Sequence, residues 1–430
     1  MRLFASGRLA EAATSFQEAL RLRPDFSEAY NNLGNVLSAL GRFIEAVASY
    51  REALRLKPDS PVPHNNLGNV LRDLGRYTEA EASYREALRL QPDYPDAHSN
   101  LGYVLLLTGS FAEGWEECEW RWKTAHMSGG VRDFSAPLWN GEPVGDRTIL
   151  LHAEQGLGDT LQFCRYIPPI AASARTVLEV QPPLIRLLSR LPGIAQIVAR
   201  GDPLPTFDLY CPLLSLPRAL GTTLDTIPGV SPYLSADPTV AAFWRGRFVG
   251  LGGLRVGIVW AGGRTLAPML AAVDQRRSIA LDMLAPLGEV SGISWISLQK
   301  GEPAAQTAKP PQGMALHDFT ADLHDFADTA ALVDGLDLVI TVDTAVAHLT
   351  GALGKPVWLL NRFDTDWRWL WGRDDSPWYP TLRQFRQPTP GDWNRVIGAV
   401  RDALSQLAAG DVTQLRPSSR PDSVFLCRDQ

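Results

Sequence analysis

The chain has 430 residues, more than one ordinary hydrophobic core organises, so two or three domains are expected. Its 45% hydrophobic and 20% charged content is ordinary for a globular protein. The formal net charge of −6, with no long basic run, argues against a general nucleic-acid binder. None of the four cysteines (Cys118, Cys164, Cys211, Cys427) forms a C-x-x-C pair, which argues against a zinc knuckle or a disulfide framework and suits a reducing cytoplasm. The N-terminus has no long apolar core, and no stretch approaches the ~20 apolar residues of a membrane span. A cytoplasmic protein without a membrane span is expected.

From the N-terminus, Gly7, Gly41, Gly75 and Gly109 recur every 34 residues. So do Pro24, Pro58 and Pro92, the aromatics Phe16, Tyr50 and Tyr84, and Ala19, Ala53 and Ala87. A 34-residue period with small and aromatic residues at fixed offsets is expected of stacked helical hairpins. The small residues let paired helices approach, the aromatic fills the gap to the next hairpin, and the proline stops each second helix. Over about 115 residues the pattern resembles the tetratricopeptide repeat. The first repeat lacks its first helix because the chain starts just before Gly7, so the N-terminal end reads as a truncated or late start. The C-terminal end is expected to be capped by the next domain through Trp115, Trp120 and Trp122.

Asn32, Asn66 and Asn100 share the same spacing. An amide donates and accepts at once, so a ladder of amides can hold a peptide backbone without reading side chains. A bond between neighbouring helices, or repeat drift, is the alternative. The array also resembles that of the O-linked N-acetylglucosamine transferases, and the resemblance implies that these asparagines line the concave face as a peptide site.

After Pro137 the pattern becomes strand then helix. Strands are predicted at Thr148–Ala153 and in "TVLEVQ", "AQIVAR" and "FDLYCPL", with helices in "TLQFCRYIPPIAA" and "LIRLLSRL". A linker, "SADPTVAAFWRGRFVGLGG", precedes a second series: "LRVGIVWAG", "LDMLAPLG", "ISWISLQKG", "ADTAALVDGL", "DLVITVDT", "AVAHLTGALG" and "PVWLLN". Two successive open α/β units predict two Rossmann-like lobes with ligands at the carboxyl ends of the strands. The expected division is a repeat array at 1–125, a first lobe at 126–240, a second lobe at 241–408 with a helix from Asp392 to Leu407 crossing the lobe boundary, and a flexible tail at 409–430.

Two motifs fall at predicted strand ends. Gly156-Leu157-Gly158-Asp159 offers close backbone approach and a helix N-terminus that favours an anion. A plain turn capped by Asp159 is equally consistent. It lacks the third glycine of a dinucleotide fingerprint and the Lys-Ser/Thr of a phosphate loop. In "DLVITVDTAVAHLTGALG", Asp343-Thr344 ends a strand, Thr344 and Ala345 present backbone N–H groups, and His348 lies one turn further on the same face. This is a seat for a diphosphate or an N-cap followed by a buried histidine. Gln299 and Lys300 end another strand and are expected to face a nucleotide.

Residues 145–405 resemble the heptosyltransferase-type glycosyltransferases, family 9. Gly158-Asp159 and the block Asp343-Thr344, His348-Leu349 and Ala352 carry the resemblance. It implies a GT-B fold and transfer of sugar from a nucleotide-diphosphate donor with inversion and without a metal or other cofactor. It implies that Asp159 is the general base near the acceptor. Gly156, Gly158, Thr344, Ala345, His348 and a basic residue at Arg276 or Arg277 would hold the donor. Asp343 would contact the sugar or cap its helix. The chain departs from the family where "NRFDTDWRWLWGRDDSPWYP" replaces a Gly-Pro-Thr-Asp. That puts Trp367, Trp369, Trp378 and Tyr379 where the donor site closes, and it leaves the sugar open. Asp364-Thr365-Asp366 has the form of a metal-binding motif from a different fold, and no metal is assigned. The expected partners are a nucleotide-diphosphate sugar and a protein or peptide on the repeats. The alternative reading is a non-catalytic scaffold whose α/β part is degenerate.

Overall fold

A computed structural model of the chain describes residues 8–417, apart from 126, 128–130, 229–230 and 264–267. Gly7, Cys427 and the last thirteen residues of the expected tail therefore lie outside the described residues, as does part of the segment after Gly262.

The described chain divides into two compact units. The helical unit holds the chain up to residue 133 together with 221–224 and 364–371. Its helices are α1 (Leu9–Leu22), α2 (Ser27–Ala39), α3 (Phe43–Leu56), α4 (Pro61–Asp73), α5 (Tyr77–Leu90), α6 (Pro95–Thr108) and α7 (Phe111–Cys118). The second helix of each hairpin stops two residues before Pro24, Pro58 or Pro92. The glycines at 41, 75 and 109 have φ of 72°, 75° and 93°. Their task is to make the left-handed turn between the helices of a hairpin, which a side chain would oppose. Close approach falls instead to Gly34, Gly68 and Gly102. A Cβ on Gly68 would sit 2.5 Å from Tyr84 Cε1, and one on Gly34 2.6 Å from Tyr50 Cε1. The repeat aromatic therefore packs within its own hairpin rather than bridging to the next one. Its hydroxyl donates to the same hairpin, Tyr50 to Asn35 Oδ1 at 2.7 Å and Tyr84 to Asn69 Oδ1 at 2.8 Å.

The C-terminal end of the array is closed within the same unit. Trp115 Nε1 donates to the Thr222 carbonyl at 2.9 Å, and its ring meets Trp367 edge to face. Trp120 stacks on His98 at 3.8 Å between centroids. Segment 364–371 lies along α6: Tyr103 donates to the Thr365 carbonyl, the Trp371 N–H donates to Leu107, and Trp371 packs on Tyr77. Trp367 and Trp369, expected beside a donor site, thus fold with the repeats. Asp366 caps the short turn Trp367–Trp369 and pairs with Arg368.

The second unit contains two separate parallel sheets, the two-lobe arrangement of a GT-B fold. The first sheet has strands β1 (Thr148–His152), β2 (Arg175–Val180), β3 (Ile194–Ala199) and β4 (Leu209–Pro212) in the order β3-β2-β1-β4. Helices α8 (Leu157–Phe163), α9 (Ile167–Ala171), α10 (Ile185–Leu188) and α11 (Leu216–Ala219) accompany it. Then come α12 (Pro238–Arg247) and the second sheet: β5 (Leu254–Val259), β6 (Ile293–Ser297), β7 (Leu316–Asp318), β8 (Leu338–Val342), β9 (Val357–Asn361) and β10 (Leu382–Arg386). Its order is β10-β9-β8-β5-β6-β7, all parallel. The chain builds outward from β5 to β7, then returns to β8 on the other side. The topological switch point therefore lies between β5 and β8, where open α/β sheets bind ligands. Helices α13 (Pro268–Arg277), α14 (Phe326–Asp334), α15 (Ala345–Ala352) and α16 (Trp393–Ala408) complete the lobe.

Three expectations are corrected. The segment read as a linker is largely α12, which begins at Pro238 under an Asp237 cap and packs Trp244 and Phe248 against Phe319. Helix α16 does not bridge the lobes with its apolar face. Trp393, Val396, Ile397, Val400, Ala403, Leu404 and Leu407 all belong to the core of the six-stranded sheet. Residues 412–415 are a short 3-10 turn rather than loose chain. Asp411 caps it, and Arg383 Nη1 donates to Gln414 Oε1 at 2.8 Å.

Candidate functional site

The site is assembled from the ends of β1, β5 and β8. At β8, two polar residues follow a fully buried strand, and the chain turns at once into α15. The Thr344 hydroxyl accepts from the Val346 N–H at 3.3 Å and lies 3.1 Å from the Thr341 hydroxyl. Thr344 is thus the N-cap, and Ala345 is the first helical residue, whose N–H belongs to the positive end of the helix. Asp343 is half-buried at the strand end.

Arg277 spans the switch point. Its Nη1 donates to the Asp343 carbonyl at 3.1 Å, and its Nη2 pairs with Asp274. Gly262, three residues beyond β5, leaves room for the guanidinium, since a Cβ there would stand 2.7 Å from it and displace it. Arg277 Nε is buried without a protein partner among the described residues. The neighbouring Arg276 is exposed. Of the two basic residues, Arg277 is the one directed to the strand ends.

In the first lobe, α8 starts at Leu157, and Asp159 Oδ2 accepts from the Gly156 N–H at 2.9 Å. Asp159 is half-buried. Close by, Glu154 accepts from the N–H groups of Leu213 and Leu214, each at 3.1 Å. It ties the end of β1 to the end of β4.

The two motifs meet. Helix α8 packs on α15, and a Cβ on Gly158 would stand 2.8 Å from His348 Cδ2, 3.4 Å from its Nε2 and 3.6 Å from Ala345 Cα. Residues 190 apart in sequence are therefore in van der Waals contact between the lobes. Only a glycine at 158 permits this.

His348 is 5% exposed, and its Nδ1 lies 2.9 Å from the Tyr379 hydroxyl. Behind Tyr379 stands Arg165, 2% exposed, from the turn after α8. Arg165 Nη2 donates to the Tyr233 hydroxyl at 3.1 Å and to the Trp378 carbonyl at 2.9 Å. Its guanidinium lies 4.5 to 5.3 Å from the ring centroids of Tyr233, Tyr379 and Trp378. A cation of the first lobe is thus seated among Trp378 and Tyr379 of the second and Tyr233 of the segment that joins the two sheets. Tyr379 is fully buried and Tyr233 half-buried, and burial pushes both phenols above their ordinary range, Tyr379 well above it. The aromatics at 378–379, noted in sequence only as a departure, pack around these two residues. Arg165 and Tyr233 carried no motif and were not legible.

Other expected residues serve different ends. Gln299, 2% exposed, spends its amide on backbone: Oε1 accepts from Trp260 and Ala261, and Nε2 donates to the carbonyls of Ala261 and Lys300. It fastens the end of β6 to the end of β5. Lys300 Nζ donates to the carbonyls of Thr320 and Leu323, at 2.7 and 2.9 Å. The two are corrected from nucleotide-facing groups to loop fasteners, because backbone acceptors left open by the irregular loops claim them first. The asparagines of the ladder also bond within the protein. Asn66 Nδ2 donates to Asn31 and Asn35 of the preceding hairpin, at 3.0 and 3.1 Å. Asn100 Nδ2 donates to Asn65 at 3.0 Å. These two side chains link successive first helices, while Asn32, at the N-terminal end of the ladder, is half-buried.

Comparisons with known proteins give the following. Tetratricopeptide repeat models match residues 1–61 and 49–82, and a TPR repeat model matches 68–109, so the N-terminal region is a tetratricopeptide array. The chain is similar to Protein FlbA of Caulobacter vibrioides, at 27% identity over 328 residues. That match covers 70% of this chain and 53% of FlbA, so the chain spans about half the length of the curated relative it matches. Among solved structures it is similar to a glycosyl transferase family 9 protein from Veillonella parvula DSM 2008, at 12% identity and TM-score 0.45, over 63% of this chain and 99% of that one. It is also similar to MamA, at 21% identity and TM-score 0.28, over 30% of this chain and 74% of that one. A third similarity is to YrrB, a TPR protein with an unusual peptide-binding site, at 24% identity and TM-score 0.24, over 27% of this chain and 59% of that one. No helix among the described residues is long and apolar enough to cross a membrane.

Proposed function

We propose that the two-lobe unit is an inverting glycosyltransferase that uses a nucleotide-diphosphate sugar, and that its repeat unit presents a protein or peptide. The meeting of α8 with α15 carries the reading. Stability alone gives no reason for Gly158-Asp159 of one lobe to touch Ala345 and His348 of the other, whereas a two-substrate transfer requires base and donor at one centre. In this reading Arg277, the N–H groups at the start of α15 and His348 stabilise the departing diphosphate, so a metal is not required. Asp159 removes the acceptor hydroxyl proton. Asp343 fixes Arg277 through its carbonyl and lies where a sugar would enter.

The test is a thermal-shift screen with nucleoside diphosphates and their sugars. A ligand of the folded state is expected to raise the melting temperature, with a stabilisation of about 2.7 kcal/mol at a hundredfold excess over its dissociation constant. The rival reading, a non-catalytic scaffold, is favoured by Gln299 and Lys300 being spent inside the protein. A screen in which no nucleoside diphosphate shifts melting supports that rival.

For the repeat unit, we place the peptide on the face lined by α2, α4 and α6. Segment 364–371 already lies against Tyr103 and Leu107 of α6, so the amide-rich stretch of α2 and α4 offers the binding surface. Removing the inter-repeat bonds alters that surface directly. The triple variant Asn32→Ala, Asn66→Ala, Asn100→Ala is expected to weaken binding of a peptide substrate at least about tenfold, the scale of one or two lost hydrogen bonds. Unchanged affinity by fluorescence anisotropy would remove the peptide role from this ladder.

A further inference from the structure

Gln162, near the end of α8, is fully buried, at 0% exposure. Among the described residues neither its Nε2 nor its Oε1 has a hydrogen-bond partner. No other buried amide side chain among them leaves both atoms unpaired. Gln299 and Gln384, buried in the second lobe, each bond through both atoms. The groups around Gln162 are already committed. Thr160 donates to Gln181, and Arg165 donates to the Gln162 carbonyl, the Tyr233 hydroxyl and the Trp378 carbonyl. A carboxamide buried without partners costs stability, so folding alone gives no reason for a glutamine here.

Gln162 follows Gly158 by four residues, so the two lie on one face of α8. That face meets α15, where Gly158 stands against His348 and Ala345. Side chains on a helix lean toward its N-terminus, which carries the Gln162 amide toward the turn of Gly158. A glycine there puts no side chain in its way. The amide is therefore covered by the same contact between the lobes that covers His348, 5% exposed. A partner for this amide must both donate and accept, because Nε2 carries two donors and Oε1 two lone pairs. A fully ionised phosphate only accepts and would leave Oε1 unsatisfied. A sugar hydroxyl does both, and neighbouring hydroxyls on one ring match the two ends of a carboxamide. We infer that Gln162 holds hydroxyls of the sugar being transferred, beside the diphosphate at His348, and that the lobes part to admit them. This rests on the reading of the two-lobe unit as a glycosyltransferase.

The experiment uses the full chain and Gln162→Met, which keeps the length and unbranched shape and removes both polar atoms. Without ligand, the variant is expected to melt about 2 °C or more above the wild type, since the unpaired amide is gone. A variant that melts no higher shows the amide to be satisfied inside the free protein and overturns the inference. Affinities are then measured by calorimetry with three pairs of probes: UDP and UDP-glucose, GDP and GDP-mannose, ADP and ADP-glucose. The members of a pair differ only in the sugar. For a pair that binds, the ratio of sugar-nucleotide to nucleoside diphosphate affinity is expected to fall at least about tenfold in Gln162→Met. The diphosphate alone is expected to change less than about threefold. A merely structural glutamine would not move that ratio, so an unchanged ratio overturns the inference and leaves the donor reading standing. If none of the six probes binds the wild type, the donor reading falls and the sugar assignment falls with it.

Discussion

Replacing Asp159 by asparagine is expected to reduce sugar transfer by on the order of 10²- to 10⁴-fold while nucleoside diphosphate binding changes less than about threefold, the range typical of losing a general base. The amide oxygen of asparagine can still accept from the Gly156 N–H, as Asp159 Oδ2 does at 2.9 Å, so the start of α8 is preserved. What is lost is a group able to take up the acceptor proton. The substitution leaves Gly158 and its approach to His348 untouched, so the donor side is unaffected. The comparison requires two measurements on one preparation: transfer with the donor found in the thermal-shift screen, and the affinity for its diphosphate. Full activity in the variant would remove Asp159 as the base without touching the fold. Equal loss of binding and transfer would show that the carboxylate shapes the donor site.

Arg165→Leu is expected to destabilise the two-lobe unit by about 3 kcal/mol, because it leaves buried acceptors unsatisfied in three places. Those acceptors are the Trp378 carbonyl, the Tyr233 hydroxyl and the Gln162 carbonyl, the last 3.0 Å from Arg165 Nε. The ring contacts with Tyr233, Tyr379 and Trp378 are lost with them. A leucine fills part of the volume and recovers apolar contact, which is why the loss is not larger. Arg165→Lys keeps the charge but cannot reach three acceptors with one ammonium, so it is expected to recover less than half of the difference. Denaturant unfolding monitored by tryptophan fluorescence reads both. A Leu variant as stable as the wild type would mean that the arginine does not hold this part of the interface between the two sheets.

The repeat array was legible because a period repeated three times over is informative without any knowledge of contacts. The 34-residue ladders of glycine, proline and aromatic residues fixed the hairpins, and the strands β1, β2, β5, β6, β8 and β9 stood out as apolar runs that each end in polar or small residues. The two site motifs were also legible, since a strand that stops at Gly-x-Gly-Asp or Asp-Thr and turns into a helix leaves its N–H groups at the strand end whatever the rest of the fold does. Local chain geometry determines such features, and sequence records local geometry. What the motifs do to one another lay beyond it. That Gly158 presses on His348 depends on two sheets and their connections, and no spacing between residues 158 and 348 encodes it. Gln299 and Lys300 were misjudged, and the partners of the asparagine ladder were left open, for one physical reason: a polar side chain at a strand end or on a helix face bonds to whichever unsatisfied group is nearest, and only the tertiary structure decides whether that is a ligand, a loop carbonyl or the next repeat. The same holds for Arg165, Tyr233 and Tyr379, which are separated by up to 214 residues in the chain and gather around one buried cation only when the lobes meet.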